Sequence, residues 1–426
     1  MKTHVWMYGC LVASLLLIGC SSSRTPPRLS ESPSQSASIP NAPNEDLSLV
    51  GVRSKFLEKD STQVRIFMYV DARKGKRPVT IEEFISLFTL NYVIYSDYGT
   101  RDRLGYGNVP LNASNVSKSE NQILVEFDIK KPDRDYGVML SEISQTGTLK
   151  KVLNDLPIRF RELRASDRYG LFEATGKEPL QHHFVTQGES VQIKNLAGQS
   201  DQLYVYYYRH SFEPAGSPMN TVPRTVSKSL QVDSLFTIRT SEPVQFEREG
   251  LYYMLADTTK AEGLSLLVVN ERYPKMTYPE QLLGPLLYMS TNQEITELQN
   301  ARDFKKALDK YWLSLMNGNP DLARQVIRTY YQRVEEANRL FTTYKEGWKT
   351  DKGMIYIIQG PPDRVQRGKD KEVWVYDQRA NANNVNFTFN RRTNQFVDDH
   401  YELVRYVEYQ PVWYPIVEAW RNGAIR

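Results

Sequence analysis

The chain has 426 residues, room for two to four domains, and its 40% hydrophobic and 24% charged content is that of soluble globular material. A balance of 54 Lys+Arg against 50 Asp+Glu leaves +4, spread without long runs, which excludes the basic footprint of a nucleic-acid-binding protein. Tyrosine is abundant, 27 against 16 Phe, and favours strands with one wet face, because it packs its ring and keeps its hydroxyl solvated.

The first twenty residues account for both cysteines. Lys2 supplies a positive n-region, and Tyr8 to Ile18 forms a short apolar core ending in Leu17-Ile18-Gly19-Cys20. That core is too short to span about 30 Å of hydrocarbon, and an ordinary secretory signal leaves Cys20 unexplained. The four residues resemble the lipobox of bacterial lipoproteins. The resemblance implies a signal peptide over residues 1–19, diacylglycerol on the Cys20 thiol, and N-acylation by a fatty acid such as palmitate after cleavage. Cys10 leaves with the signal, so disulfides, thiolate metal sites and cysteine nucleophiles drop out together. Ser21 to Ser23 carry neither the Asp of inner-membrane retention nor an acidic surface-export cluster. This points to the periplasmic face of the outer membrane. Residues 20–46 then form a tether, in which Pro26, Pro27, Pro33, Pro40 and Pro43 among Ser, Asn and Gln cannot bury enough surface to order.

From residue 47 to 165 the chain reads as strands: Val64 to Val70, Tyr92 to Tyr95, Ile123 to Phe127 and Leu156 to Leu163, separated by Gly/Asn/Asp/Pro clusters. Such spacing predicts an immunoglobulin-like β-sandwich. Thr80-Ile81-Glu82-Glu83 is a capping box for a short helix carrying Phe84. Residues 166–270 repeat the theme as a second sandwich, with a strand over Leu203 to Tyr208 and a closing hairpin of Gly250 to Ala256 and Leu264 to Val269. Past Pro274 the period changes to 3.6. A capping box at Thr291 opens a short helix, and the stripe Phe304, Ala307, Leu308, Tyr311, Trp312 and Leu315 marks the next. Asn317-Gly318 stops it. Asn319-Pro320 starts a third helix, which buries Ala323, Val326, Ile327, Tyr330, Val334, Ala337 and Phe341.

Gly347 to Asp363, GWKTDKGMIYIIQGPPD, has the least interchangeable residues of the chain. Gly347 fits a left-handed helix end, Trp348 a rigid anchor, Thr350 and Asp351 caps, and Gly353 a positive φ. Met354 to Ile358 reads as a strand, broken by Gly360-Pro361-Pro362-Asp363, since Pro362 forces Pro361 into extended geometry. Strands over Glu372 to Tyr376 (with Trp374), Val385 to Phe389 and Gln395 to Tyr409 follow, then a helix over Val412 to Trp420. The residues Gly347, Trp348, Thr350, Asp351, Gly353, Gly360, Pro361, Pro362, Asp363 and Trp374 resemble the GWxTD domain of Bacteroidota envelope proteins, over roughly residues 274–426. The resemblance implies an exported, often lipid-anchored protein with sandwiches ahead of a helical-plus-β module, and no catalytic residue. The fold class expected is mainly β with an α+β C-terminal module.

Groupings that could carry chemistry are few. Asp398, His400 and Glu402 alternate on one predicted strand, but same-face neighbours about 7 Å apart converge poorly on a metal ion. If they lie on a strand, His182 and His183 point to opposite sides of it, and no Gly-x-Ser-x-Gly elbow accompanies them or His210. Asp351 and Asp363 stand at opposite ends of a strand, too far apart for a glycosidase pair. Neither a Walker A loop nor a dinucleotide fingerprint occurs, so no cofactor is expected. Tyr204, Tyr206 and Tyr208 share one strand face and would suit sugar rings, although edge or interface packing between sheets is the commoner use of such a face.

The expected function is non-enzymatic: a lipid-anchored periplasmic interaction or assembly protein whose C-terminal module docks an envelope partner. An outer-membrane β-barrel complex, or a secretion or motility machine, fits that role. A glycan-binding lipoprotein using the three tyrosines is the alternative. Cys20→Ala should abolish incorporation of labelled palmitate and release the protein from the membrane fraction. A variant that still partitions with lipid would sink the anchor.

Overall fold

The computed structural model describes residues 47–222, 229–377 and 384–425. The expected signal peptide, residues 1–19, and the expected tether with Cys20, residues 20–46, lie outside the described residues. The first sandwich comprises β1 (Leu47–Glu58), β2 (Gln63–Lys74), β3 (Arg77–Pro78), α1 (Ile81–Leu87), β4 (Phe88–Tyr95), β5 (Arg103–Val109), β6 (Val116–Ser119), β7 (Gln122–Lys130), β8 (Tyr136–Gln145) and β9 (Lys151–Arg159). One sheet runs β1-β2-β7-β6 with β3 beside β2, and the other runs β5-β4-β8-β9. The Thr80 capping box forms as its sequence requires, and Phe84 is buried beneath it. β2 shows why a continuous apolar run carries no alternation. Val64, Ile66, Met68 and Val70 fill the sandwich core, while Phe67 and Tyr69 point the other way and are equally buried.

That second face of β2 meets the second sandwich. After the short α2 (Ala165–Arg168), this comprises β10 (Gly170–Glu173), β11 (Phe184–Thr186), β12 (Ser190–Lys194), β13 (Gln202–Tyr208), β14 (Ser234–Arg239), β15 (Pro243–Gln245), β16 (Gly250–Leu255) and β17 (Leu264–Val269). Its sheets run β10-β12-β15 and β11-β17-β16-β13-β14, with β11 parallel to β17. Leu57, Phe67, Tyr69 and Leu124 of the first sandwich close on Phe172 of the second. The rings of Phe67 and Phe172 meet edge to face at 6.3 Å, and the Tyr69 hydroxyl donates to the Pro179 carbonyl.

The C-terminal module holds α3 (Pro279–Leu286), α4 (Asn292–Gln299), α5 (Phe304–Leu315), α6 (Pro320–Phe341), α7 (Asp351–Gln359), β18 (Arg364–Arg367), β19 (Lys371–Tyr376), β20 (Val385–Arg391), β21 (Tyr401–Leu403) and α8 (Gln410–Arg421). The helices opened by Thr291, Asp303 and Asn319 start at those caps. Asn317 and Gly318, at φ 52° and 79°, end α5. Along α6 the buried stripe is Ala323, Val326, Tyr330, Val334 and Ala337, with Ile327 and Phe341 half-buried at its borders.

Two elements differ from the sequence reading. Met354 to Ile358 is helical, because Thr350 caps an N-terminus and α7 runs from Asp351 to Gln359. Gly353 through Gln359 are buried all round. A helix enclosed on every side loses its 3.6-residue signature, and a short apolar run rich in Ile then looks like a buried strand. The expected strand from Gln395 to Tyr409 shrinks to β21, because Phe396 and Asp398 in the segment before it serve contacts with the two sandwiches instead.

The C-terminal module also closes on both sandwiches. Tyr208, Leu251, Tyr253 and Leu255 on the outer face of the second sandwich pack against Tyr344 and Phe396, and Phe184 packs against Tyr273. Toward the first sandwich, Arg367 pairs with Asp155 at 2.7 Å. Asp398 is the bracket: it accepts from Arg159 at 3.1 Å and from Arg164 and Ser166. Arg159 simultaneously forks onto Asp167 at 2.6 and 2.7 Å. Burial pushes the Asp398 carboxyl up, but Ser166, Arg164 and Arg159 together pull it further down, so its net value falls below the ordinary 3.8.

Asp398→Ala should therefore cost about 1–3 kcal/mol at pH 7. Since the folded carboxyl titrates below 3.8, the contribution is complete above that pH and is lost as pH falls through the depressed folded value. The gap between urea melts of the two proteins should accordingly be full at pH 7 and narrow as pH falls below 3.8; a gap that stays constant would disprove the ionic origin. A second test concerns backbone contact. A Cβ on Gly347 would lie 2.0 Å from the Ala337 carbonyl oxygen, whereas one on Gly51 would meet nothing. Gly347→Ala should cost about 1–3 kcal/mol or more and Gly51→Ala less than about 0.5 kcal/mol in the same melts.

Candidate functional site

The Gly347–Asp363 stretch joins α6 to α7 through a single 3-10 turn, Gly347–Lys349. Neither Gly347 nor Gly353 takes a left-handed φ. Both are required by proximity, since a Cβ on Gly353 would fall 1.9 Å from the Gly347 carbonyl oxygen. Only Gly360 is left-handed, at φ 84°, and it ends α7. The Thr350 hydroxyl donates to the Gly347 carbonyl at 2.7 Å and accepts from the Gly353 N–H at 3.0 Å, so one side chain closes the turn and caps the helix.

A buried polar cluster fixes this turn on α6. Asn338 Oδ1 accepts from the Trp348 N–H at 3.0 Å, and Asn338 Nδ2 donates to the Pro274 carbonyl at 3.0 Å. Thr342 Oγ1 accepts from the Gly347 N–H at 2.9 Å and shares a hydrogen bond with the Tyr273 hydroxyl. The Trp348 indole is 6% exposed, so it is a packing anchor and not a free binding ring. It lies across Gly284, where a Cβ would approach within 2.6 Å, and its carbonyl accepts from the Tyr288 hydroxyl at 2.8 Å.

The acidic residues of the stretch are engaged as well. Asp351 accepts from the Leu403 N–H at 2.7 Å and from Arg405 at 2.6 Å, tying the first turn of α7 to β21. This replaces the capping role read from sequence, which Thr350 fills alone. Asp363 accepts from the Asp377 N–H at 2.8 Å, at the opposite end of α7. Pro361 is exposed and Pro362 half-buried. The Trp374 Nε1–H donates to Glu372 at 2.6 Å, and Glu372 also pairs with Lys352 at 3.0 Å. The Tyr376 hydroxyl donates to the Gly360 carbonyl at 2.9 Å.

Where the three modules meet they leave a cleft of about 1740 Å³. This is larger than the roughly 300–1,000 Å³ typical of small-molecule sites. The first sandwich contributes Arg53, Lys55, Tyr98 and Tyr136, the second His182, His183, His210 and Phe212, and the C-terminal module Tyr344, Lys352 and residues 394–402. Among the described lining residues eight Lys/Arg face eight Asp/Glu, so the walls carry no net field favouring a polyanion or polycation. Lys55 stands apart. Its ammonium donates to the Leu180 carbonyl, no ion pair to it occurs among the described residues, and burial pushes its pKa down to about 7.

The sequence-predicted groupings separate. Asp398 turns to Arg159 and Arg164, while His400 reaches Glu402 at 3.2 Å; no three-residue metal cluster occurs among the described residues. His182 stacks on Phe184 at 4.2 Å and bonds its carbonyl, and His183 faces the cleft. The tyrosines of β13 do not form one open platform: Tyr204 is exposed, Tyr206 half-buried, and Tyr208 buried against Phe396 at 5.7 Å. Sequence reasoning missed Arg159, Arg164 and Lys55, whose partners lie far along the chain.

Several comparisons with known proteins bear on this geometry. The GWxTD domain model matches residues 250–422. No curated protein matches the chain. Among solved structures, the C-terminal fragment of intimin in complex with the intimin-binding domain of Tir is similar at 8% identity over 83% of this chain and 98% of that one, with a TM-score of 0.15. A chimeric titin Z1Z2 tandem is similar at 13% identity over 51% of this chain and 100% of that one, with a TM-score of 0.12. Neither likeness carries an argument at those scores. The domain match starts at β16, whose outer face the helical module covers, and the GWxTD residues themselves form the α6–α7 junction. The chain therefore carries a GWxTD domain over residues 250–422.

Proposed function

We propose that this protein is a non-enzymatic, lipid-anchored interaction or assembly protein of a Bacteroidota outer membrane, held at its periplasmic face through Cys20. The observation that carries the reading is the use of the GWxTD side chains. Trp348, Thr350, Asp351 and Trp374 are all engaged in packing, capping and ties within the module, so the signature builds a scaffold. The lipobox-like N-terminus supports the anchor. No helix among the described residues is long and apolar enough to cross a membrane.

The cleft supports a macromolecular partner over a metabolite. Its volume suits a polypeptide segment, its charges are mixed, and aromatic rings from all three modules line it. An extended loop of an outer-membrane β-barrel complex, or of a secretion or motility assembly, fits such a surface. Photo-crosslinking residues placed at His210 and Asn394, both in the cleft, should capture a discrete envelope protein in intact cells. The same residue at Tyr106, 79% exposed and outside the cleft, should not. Equal capture at Tyr106, or none at either cleft position, would remove the cleft as the docking site.

A further inference from the structure

The cleft is neutral as a whole but not along each wall. Among the described residues, every lining carboxylate except that of Glu213 pairs with a cation. Arg53 and Lys55 pair with none of them. Both belong to β1, two positions apart, so their side chains leave the same face of the strand. Leu57, two positions further on, packs into the seam with the second sandwich, whereas Val52 and Phe56 pack into the core of the first. Arg53 is exposed, and its guanidinium makes no hydrogen bond among the described residues. Lys55 is half-buried and donates only to the Leu180 carbonyl. Burial depresses both pKa values, the Arg339 guanidinium of α6 adds to the effect at Arg53, and no carboxylate offsets it. His183 is near enough to Lys55 to feel its charge. It is exposed to the cleft, and its ring makes no hydrogen bond among the described residues.

Cations left uncompensated on a partly desolvated wall are stabilised by an anion that arrives from outside. Their spacing indicates its form. Same-face positions of a strand repeat at about 7 Å, and so do alternate side chains of any other extended chain. A lone phosphate or carboxylate would satisfy one of the two cations. Carboxylates two residues apart on an extended segment satisfy both. We propose, on the reading that the cleft is the docking site, that it takes an extended acidic polypeptide segment whose carboxylates, at alternate positions, pair with Lys55 and Arg53. His183 offers that segment a further hydrogen bond. The arriving carboxylate supplies the counter-charge that Lys55 lacks and holds its ammonium protonated. Because the other cleft charges are already paired within the walls, the segment is selected by this strand and not by the net charge of the cleft.

The probe is a fluorescein-labelled heptapeptide, Gly-Thr-Asp-Thr-Asp-Thr-Gly, titrated with the full chain in mild detergent. It should bind saturably and about tenfold more tightly than its Asn counterpart. It should also outbind Gly-Thr-Thr-Asp-Asp-Thr-Gly, which carries the same charge at the wrong spacing. Lys55→Gln should weaken binding about tenfold or more and Arg53→Gln about threefold. Arg53 holds no bond in the fold, so Arg53→Gln should keep the parent's circular dichroism and melting. No saturable binding, equal affinity for the Asn or the adjacent-Asp peptide, indifference to both substitutions, or tighter binding of oligogalacturonate, an acidic glycan, would overturn the proposal. In cells, Arg53→Glu should abolish capture of a partner through His210. Capture that survives Arg53→Glu keeps the cleft as the docking site and overturns the acidic contact. Where the parent itself captures nothing, the docking reading fails, and the peptide titration still decides whether the wall takes an acidic segment.

Discussion

The structure depends on a contact between two stretches of backbone. Gly347 lies directly against α6, so close that the Ala337 carbonyl leaves no room for a Cβ. Bringing main chain onto main chain strands polar groups that must find partners in the dark. Asn338 and Thr342 on α6, with Tyr273 from the exit of the second sandwich, supply them. That cluster sets the angle at which α7 leaves the turn, and α7 is the element around which α6, α8 and the C-terminal sheet assemble. The GWxTD signature is thus the chemistry of a tight corner: glycine for proximity, threonine for the cap, tryptophan for the fill.

From that corner the remaining architecture follows outward. Asp351 carries the position of α7 to β21 through Leu403 and Arg405. The segment before β21 then delivers Phe396 to the second sandwich and Asp398 to Arg159 of the first. One module reaches both others within a few residues, and the space left between the three contacts is the cleft. Its balanced charges are largely consumed in pairs across and along the walls, and Lys55 and Arg53 are among those that form no ion pair among the described residues.

Much of this was legible in the sequence, and the limits have a common cause. The caps at Thr80, Thr291 and Asn319, the stripe of α5 and the closing hairpin are local signals, and they were read correctly because each depends on residues within one or two turns. Two-sided burial defeated the reading of α7, whose environment hides its period. The bracket at Asp398 joins residues more than two hundred positions apart. Its signal in sequence is only a charged residue alternating with His400 and Glu402, which says nothing of a partner so far away. The tyrosines of β13 were correctly placed on a strand, but which of them meets solvent is decided by Phe396, a residue of another module.

The two-sided burial seen in β2, β16 and β17 bears on autonomy. A sandwich that stands alone keeps its outer faces polar; these two do not. Removed from its neighbours, the first would expose Phe67, Tyr69 and Leu124, and the second Leu251, Tyr253 and Leu267. Each is then an adhesive sheet face of the kind that associates indiscriminately. The sandwiches are consequently not beads on a string that evolution or an experimenter can exchange one at a time. They share solubility as a common property of the whole body, and an insertion or truncation at any seam is felt by all three parts.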